Sequence, residues 1–199
     1  MLLGEGLTAI RGERLVFRDV GFALKRGGAL ILSGRNGAGK TTLLRLLAGL
    51  LRPDAGRLLW DNADALADRV EHAGRVALLG HQDALKPGLT AVENLAFAAR
   101  LSGRPISAAL AELDLEDLAD LPARMLSAGQ RRRLALARVS LSRAPLWLLD
   151  EPTLGLDHTA VERLGAMLAR HRDLGGMIVA ATHVSLPLSG AEMLRLNAA

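Results

Sequence analysis

One short stretch of the sequence constrains the fold more than any other. Residues 34–41 read Gly-Arg-Asn-Gly-Ala-Gly-Lys-Thr and match the phosphate-binding loop pattern G-x-x-x-x-G-K-[ST] at every fixed position. An apolar run at residues 29–32 precedes the loop, and a helical pattern begins at Lys40. A buried strand, a Gly-rich turn and a helix start in this order form a cradle of backbone N–H groups for an anion. The sequence therefore predicts a nucleotide phosphate site.

Two side chains of this loop have predicted roles. We expect Lys40 to reach the β- and γ-phosphates. We expect the Thr41 hydroxyl to bind Mg²⁺, because a hard cation takes oxygen ligands and shares them with the nucleotide. The residues predicted to contact the nucleotide here are Gly34, Arg35, Asn36, Gly37, Ala38, Gly39, Lys40, Thr41 and Thr42.

Apolar runs and helical patterns alternate along the chain, which indicates the α/β class. Strand-like runs lie at residues 15–17, 29–32, 57–60, 76–79, 146–149, 177–180 and 193–196. Those at 29–32, 76–79, 146–149 and 177–180 are continuously apolar, as in parallel strands covered on both faces. The length of 199 residues predicts one domain spanning 1–199.

The stretch from Thr90 to about Arg124 breaks this alternation, because its patterns are helical. Thr90 and Glu93 predict a capping box that opens a helix over 91–101, and Ser107 is expected to cap a second helix over 108–113. We interpret 90–124 as a helical subdomain inserted into a core made of 1–89 and 125–199.

An acidic pair, Asp150 and Glu151, ends the apolar run 146–149. Ligands of open α/β sheets bind at the carboxyl ends of the strands. A turn-capping role is the alternative, but with a phosphate loop upstream we interpret Asp150 as the Mg²⁺ carboxylate and Glu151 as the general base that activates water.

Composition narrows the classes of partner. The formal charge of +4 is modest and its arginines are spread along the chain, so we expect no nucleic acid partner. The absence of cysteine excludes disulfides and thiolate metal sites and fits a reducing compartment. No run of about 18 apolar residues occurs, so we expect no direct membrane insertion, and any membrane role has to come through partners.

A second anion-binding feature lies at Leu126-Ser127-Ala128-Gly129-Gln130, just before a helical run. Ser127 and Gln130 fit a capping box, and taken alone this is only a helix cap. A helix start with an adjacent glycine can also present its amides and the Ser127 hydroxyl to a phosphate group.

The order of these motifs resembles that of the ATP-binding-cassette (ABC) ATPases over nearly the whole chain. The phosphate loop is followed by Gln82 after a strand, then by Ser127 to Gln130, Asp150-Glu151, Asp157 and Thr182-His183. The resemblance implies a P-loop NTPase core with an inserted helical subdomain, and ATP and Mg²⁺ as cofactors. It also implies a homodimer in which each ATP lies between the phosphate loop of one copy and Ser127, Gly129 and Gln130 of the other.

The resemblance assigns further roles by position. Gln82 is implied to sense Mg²⁺ and the transmembrane partner, Asp157 to lie at the dimer contact, and His183 to contact the γ-phosphate as a second catalytic residue beside Glu151. Two departures are visible. Residues 126–130 are the signature of these ATPases, and Ala128 replaces its usual second glycine. This change still allows the backbone amide to donate if the φ of Ala128 stays below zero. The usual adenine-stacking aromatic would fall near Arg11, so adenine is expected to rest on an arginine plane or on Val16 and Phe17.

The detailed sequence of five segments resembles one group of these ATPases, the subunits that serve bacterial cytochrome c maturation as haem exporters. The resemblance is carried by residues 35–39, 80–87, 89–95, 126–130 and 146–150. This implies a peripheral location on the cytoplasmic face of the bacterial inner membrane, integral-membrane partner subunits, and ATP hydrolysis that supports haem export or release of a haem-loaded chaperone.

The alternatives are the ATPase of another small ABC transporter and a soluble ABC-type switch. The soluble switches of DNA repair and translation carry long coiled-coil insertions or tandem cassettes, and the sequence has neither. A nucleotide-binding regulator without turnover is disfavoured by the intact Glu151.

Overall fold

The computed structural model describes residues 1–196, so the end of the predicted core range 125–199 lies outside the described part. The strands are β1 (Leu2–Arg11), β2 (Arg14–Leu24), β3 (Ala29–Ser33), β4 (Ala55–Trp60), β5 (Ala63–Asp64), β6 (Val76–Leu79), β7 (Leu146–Asp150), β8 (Met177–Ala181) and β9 (Glu192–Arg195). The α-helices are α1 (Lys40–Leu47), α2 (Arg69–Gly74), α3 (Ala91–Ser102), α4 (Ile106–Glu112), α5 (Ala128–Leu141) and α6 (His158–Asp173). Short 3₁₀ helices occupy Glu116–Leu118 and Ala123–Met125.

Two sheets of different kinds organise the molecule. An antiparallel sheet has the order β2-β1-β4-β5, and a five-stranded sheet has the order β6-β7-β8-β3-β9, with every neighbouring pair parallel. Every residue of β7 and β8 is buried, as the continuous apolar runs predicted. The mixed α/β class is confirmed.

Successive side chains of β7 point to opposite faces of the parallel sheet and join two separate cores. Leu146 and Leu148 pack with α1 and the antiparallel sheet, while Trp147 and Leu149 pack with α5, α6 and the helices of segment 90–124. Helix α1 therefore lies between the two sheets, and the phosphate loop at its start is anchored from both sides.

The structure corrects several sequence-based boundaries. Strand β1 was missed, because glycines and register shifts between Gly4 and Ile10 break its alternation. Helix α2 was missed as well. Ser107 is not a cap: α4 begins at Ile106 after Pro105, whose φ of −68° already suits a helix entry. The capping box of Thr90 and Glu93 is present as predicted.

Candidate active site at the carboxyl edge of the parallel sheet

The phosphate loop follows β3 and depends on glycine at two positions. Gly34 has φ of 147°, and a Cβ there would lie 2.5 Å from the Leu196 carbonyl oxygen. Gly39 has φ of 93°, and a Cβ there would lie 2.6 Å from a methyl carbon of Val16. A larger residue would clash with the backbone just after β9 at position 34 and with β2 at position 39, so the turn requires glycine at both positions.

Lys40 is buried and turns back over this loop. Its ammonium donates hydrogen bonds to the carbonyl oxygens of Gly34, at 2.8 Å, and Arg35, at 3.3 Å. The positive charge therefore lies within the curve of the loop, together with the N-terminal end of α1, where no acidic side chain occupies the first turn. Both features favour an anion at this position.

Thr41 and Asp150 connect the phosphate loop to the acidic end of β7. The Thr41 hydroxyl donates a hydrogen bond of 2.8 Å to a carboxylate oxygen of Asp150, although the residues are 109 positions apart. These are hard oxygen donors of the kind that Mg²⁺ prefers. Among the described residues, no group of three or more His, Cys, Asp or Glu side chains could hold a metal alone. The pair fits a cation that takes its remaining ligands from nucleotide phosphates and water.

Glu151 has an unusual backbone conformation for a residue with a side chain. Its φ is 47°, in the left-handed region, which costs about 1–3 kcal/mol in a non-glycine residue. Its carboxylate accepts a hydrogen bond from the His183 backbone N–H at 3.3 Å and lies 3.4 Å from the His183 imidazole Nε2. The strained turn thus directs the carboxylate toward the loop after β8 and away from the buried strand.

These groups face one cavity of about 750 Å³. It is lined by Arg11, Arg14, Val16, Asn36, Gly37, Gly39, Lys40, Thr41, Thr42, His81, Asp150, Glu151, Leu154, His183 and Val184. Gly34, Arg35 and Ala38 shape the loop without lining the cavity. Gln82 is exposed and also does not line it, although its neighbour His81 does.

The expectation for the adenine pocket is corrected in one respect. Phe17 is only 1% exposed, because it packs beneath Gly39, and so it is unavailable as a stacking surface. Val16 and the arginines Arg11 and Arg14 line the cavity instead. The side chain of Val16 and the stems and guanidinium planes of the two arginines are the surfaces on which a base can stack.

The second predicted phosphate site lies elsewhere. Ser127 and Gln130 form the predicted capping box at the start of α5, with hydrogen bonds of 3.2 Å and 2.7 Å. Ala128 is the first residue of that helix and its φ is not positive, so the backbone meets the condition under which alanine can replace glycine there. In the described chain, neither Ser127, Gly129 nor Gln130 lines the cavity around Lys40.

Asp157 lies at the start of α6, where its carboxylate accepts a hydrogen bond of 2.8 Å from the Ala160 N–H and caps the helix. Gly155, just before it, touches the signature. A Cβ on Gly129 would lie 2.5 Å from the Gly155 carbonyl oxygen. The segment after β7 and the start of α5 are therefore in backbone contact.

Arg132 is a residue of the site that sequence reasoning missed. It is 2% exposed, and it donates hydrogen bonds to the carbonyl oxygens of Asp150, Glu151 and Gly80 and to the Asp83 carboxylate. It stands in a run of three arginines, residues 131–133, for which the sequence patterns indicated no role. The available signal was its helical spacing with the apolar residues Leu136 and Val139, which places it on a buried side of α5.

The two sheets, the phosphate loop and the acidic strand end define an ATP-binding cassette. Residues 17–154 match the family described as ABC transporter. A solved ATP-binding subunit of an ABC transporter superposes with a TM-score of 0.84 at 27% identity, covering 92% of this chain and 80% of that one. A dimeric ATP-binding cassette in a post-hydrolysis state with ADP and Pi gives 0.82 at 26% identity, covering 92% and 88%.

Curated relatives narrow the assignment. The chain is 54% identical to the cytochrome c biogenesis ATP-binding export protein CcmA of Gluconobacter oxydans, over 94% of this chain and 83% of that protein. It is 51% identical to the protein of the same name from Rhodospirillum rubrum, over 98% and 84%. The chain therefore belongs to the ABC transporter family, among the cytochrome c biogenesis ATP-binding export proteins.

Proposed function

We propose that the chain hydrolyses ATP for a membrane export complex of cytochrome c biogenesis. The observation that carries this is the single cavity that joins Lys40, Thr41, Asp150, Glu151 and His183. Lys40 and the loop amides bind the phosphates, and the Glu151 carboxylate accepts the proton of the attacking water. His183 lies beside that carboxylate, and we assign it contact with the γ-phosphate. Thr41 and Asp150 would hold Mg²⁺, which would offset phosphate charge.

In this proposal the complete site is formed by two copies of the chain. Ser127, Gly129 and Gln130 have the chemistry of a phosphate site, but the described chain keeps them outside its own nucleotide cavity. A head-to-tail pair would place the start of α5 from one copy over the phosphate loop of the other. Exposed apolar residues at the cavity and beside the signature, Leu154, Val184 and Met125, fit burial in such a contact. Asp157 and Gln82 would lie at the edges of the closed site.

The dimer is tested with a Glu151→Gln variant, which should bind ATP without turning it over. Size-exclusion chromatography with light scattering should show an ATP-dependent dimer, and wild-type specific activity should rise with protein concentration. Adding Ser127→Ala should weaken the dimer by about 1.5–3 kcal/mol, the contribution of a hydrogen bond to a charged group.

Thr90→Ala is the matched control, because it removes the equivalent capping box of α3 and leaves the start of α5 intact. Both variants lose about 1 kcal/mol of helix capping. Only monomer in the Glu151→Gln protein, together with concentration-independent wild-type activity, would refute the composite site.

The membrane partner is proposed to dock in a groove beside the parallel sheet. No helix of residues 1–196 is both long and apolar enough to cross a membrane. The groove has a volume of about 400 Å³ and lies between β6, α3 and α5. Phe97 and Leu101 are each 73% exposed at its wall, and Arg138 and Arg143 line it. A cytoplasmic helix of an integral-membrane subunit, with an apolar face and acidic flanks, complements this surface.

Phe97→Glu should abolish capture of the membrane subunits in a pull-down and prevent maturation of c-type cytochromes, measured by haem staining. The basal ATPase activity of the isolated subunit should stay unchanged. Leu174→Glu is the control, since Leu174 is 83% exposed outside the groove. Normal assembly and staining with Phe97→Glu would rule out this surface. Normal staining after deletion of the whole chain would rule out the role in cytochrome c biogenesis.

A further inference from the structure

We propose that Arg132 is a positioning residue for ATP hydrolysis, which ties the backbone under Glu151 to the loop at residues 80–84. The aim of the Glu151 carboxylate then depends on where that loop lies. This inference rests on the proposed function, in which Glu151 is the base.

The guanidinium of Arg132 joins three parts of the chain at one point. Its Nη1 donates to the Gly80 carbonyl oxygen at 3.0 Å and to the Asp83 carboxylate at 2.9 Å. Its Nη2 donates to the carbonyl oxygens of Asp150 and, at 2.8 Å, Glu151. These contacts span the loop after β6, the end of β7 and helix α5. A lysine ammonium cannot reproduce them, because it lacks the planar fork of donors.

The contacts of Arg132 to Asp150 and Glu151 fall at a strained point of the backbone. Glu151 has φ of 47°, a conformation that persists only where the surroundings enforce it. Its N–H donates to the Ala181 carbonyl oxygen at 2.8 Å, and Arg132 binds its carbonyl oxygen. The peptide planes on both sides of the side chain are thus fixed. Arg132 binds the carbonyl oxygens of both planes, and the Leu154 N–H donates to the Glu151 oxygen as well, at 3.1 Å.

The loop at residues 80–84 has few other restraints on its position. Arg138, two turns further along α5, donates to the carbonyl oxygens of Ala84 at 2.7 Å and Asp83 at 3.1 Å. Asp83 is the only carboxylate that touches Arg132 among the described residues. If the loop moved away, the buried guanidinium would lose its counter-charge, which is costly in a dry site. Movement of the loop and of the Glu151 backbone are therefore coupled through one cation.

A purely structural role for Arg132 gives a different kinetic signature. A residue that only holds the fold together would, when substituted, lower nucleotide affinity and stability along with turnover. A residue that aims Glu151 would lower kcat and leave KM nearly unchanged, because the phosphate loop and Lys40 do not touch it. The split between kcat and KM is thus the readout that separates the two roles.

The experiment compares Arg132→Lys with Arg133→Lys in the purified full chain. Arg133 is the matched control, since it carries the same charge one position on but binds Asp114 and the Leu113 carbonyl oxygen, away from the cavity. Arg132→Lys should lower kcat roughly 100-fold, as expected for a misplaced catalytic group. The KM and the dissociation constant for ATP should stay within about 2-fold of wild type, and Arg133→Lys should match wild type in all three.

Asp83→Asn provides a second, milder variant, because the amide oxygen keeps the hydrogen bond and loses the charge. It should lower kcat roughly 10-fold, and its effect should not add to that of Arg132→Lys. Unchanged kcat in either variant, or a proportional loss of ATP binding, overturns the inference. If Arg132→Lys fails to fold, the kcat of Asp83→Asn decides alone. Wild-type turnover in Glu151→Gln would instead remove Glu151 from the role of base that the proposed function gives it, whichever way Arg132 behaves.

Discussion

The two ends of the parallel sheet use the same strands for opposite purposes. At the carboxyl end of β7, Asp150 and Glu151 face a cavity and remain available for chemistry. Near the amino end of the same strand, Trp147 stacks on His171 of α6, with ring centroids 3.8 Å apart and planes 8° from parallel. Burial there lowers the pKa of His171 to about 4, so the imidazole is neutral at pH 7. One strand therefore presents acidic side chains for function at one end and holds a neutral aromatic stack for stability at the other.

The largest effect is expected at the carboxyl end. Glu151→Gln should lower kcat by roughly 10²–10⁴-fold, because the amide keeps the shape of the side chain and cannot accept a proton. ATP binding, measured by titration calorimetry, should persist in this variant. Lys40→Ala should weaken ATP binding itself. Near-normal hydrolysis by the purified Glu151→Gln protein would remove Glu151 from the role of base.

The amino end should respond in stability and not in turnover. Trp147→Ala should lower the free energy of unfolding by about 3–5 kcal/mol, the usual cost of truncating a buried aromatic. Urea unfolding followed by circular dichroism measures this loss. The kcat of the folded protein should remain close to wild type, and a kcat loss as large as that of Glu151→Gln would show that the two ends are not separable.

The smallest effect concerns pH. The pKa of His171 is lower in the folded protein than its ordinary value of 6.5, so the unfolded chain binds a proton more readily. The stability contribution is complete above pH 6.5 and is lost as the pH falls toward 4. His171→Phe keeps an aromatic ring against Trp147 and removes the titration. The wild type should lose more unfolding free energy than this variant over that window, and parallel pH curves would contradict the assignment.

Local patterns predicted the parts of the molecule that local forces determine. The phosphate loop and both capping boxes, at Thr90 and Ser127, were predictable because their hydrogen bonds join residues a few positions apart. Continuous apolar runs identified β7 and β8. Strand β1 was missed because its register shifts disguise the alternation. The hydrogen bonds of Arg132 could not be predicted from local patterns, since its partners lie up to 52 positions away and only the packed sheet brings them to α5.

The strand order also determines when during synthesis the protein first becomes able to bind its ligand. Strand β3 carries the phosphate loop, yet its neighbours in the sheet are β8 and β9, which are made last among the described elements. On a ribosome that has released the chain only as far as β7, β3 has both edges unpaired. Such apolar edges invite association with other chains. We therefore expect the nascent chain to need shielding of this edge until β8 and β9 emerge, and ATP binding to contribute to stability only after that point.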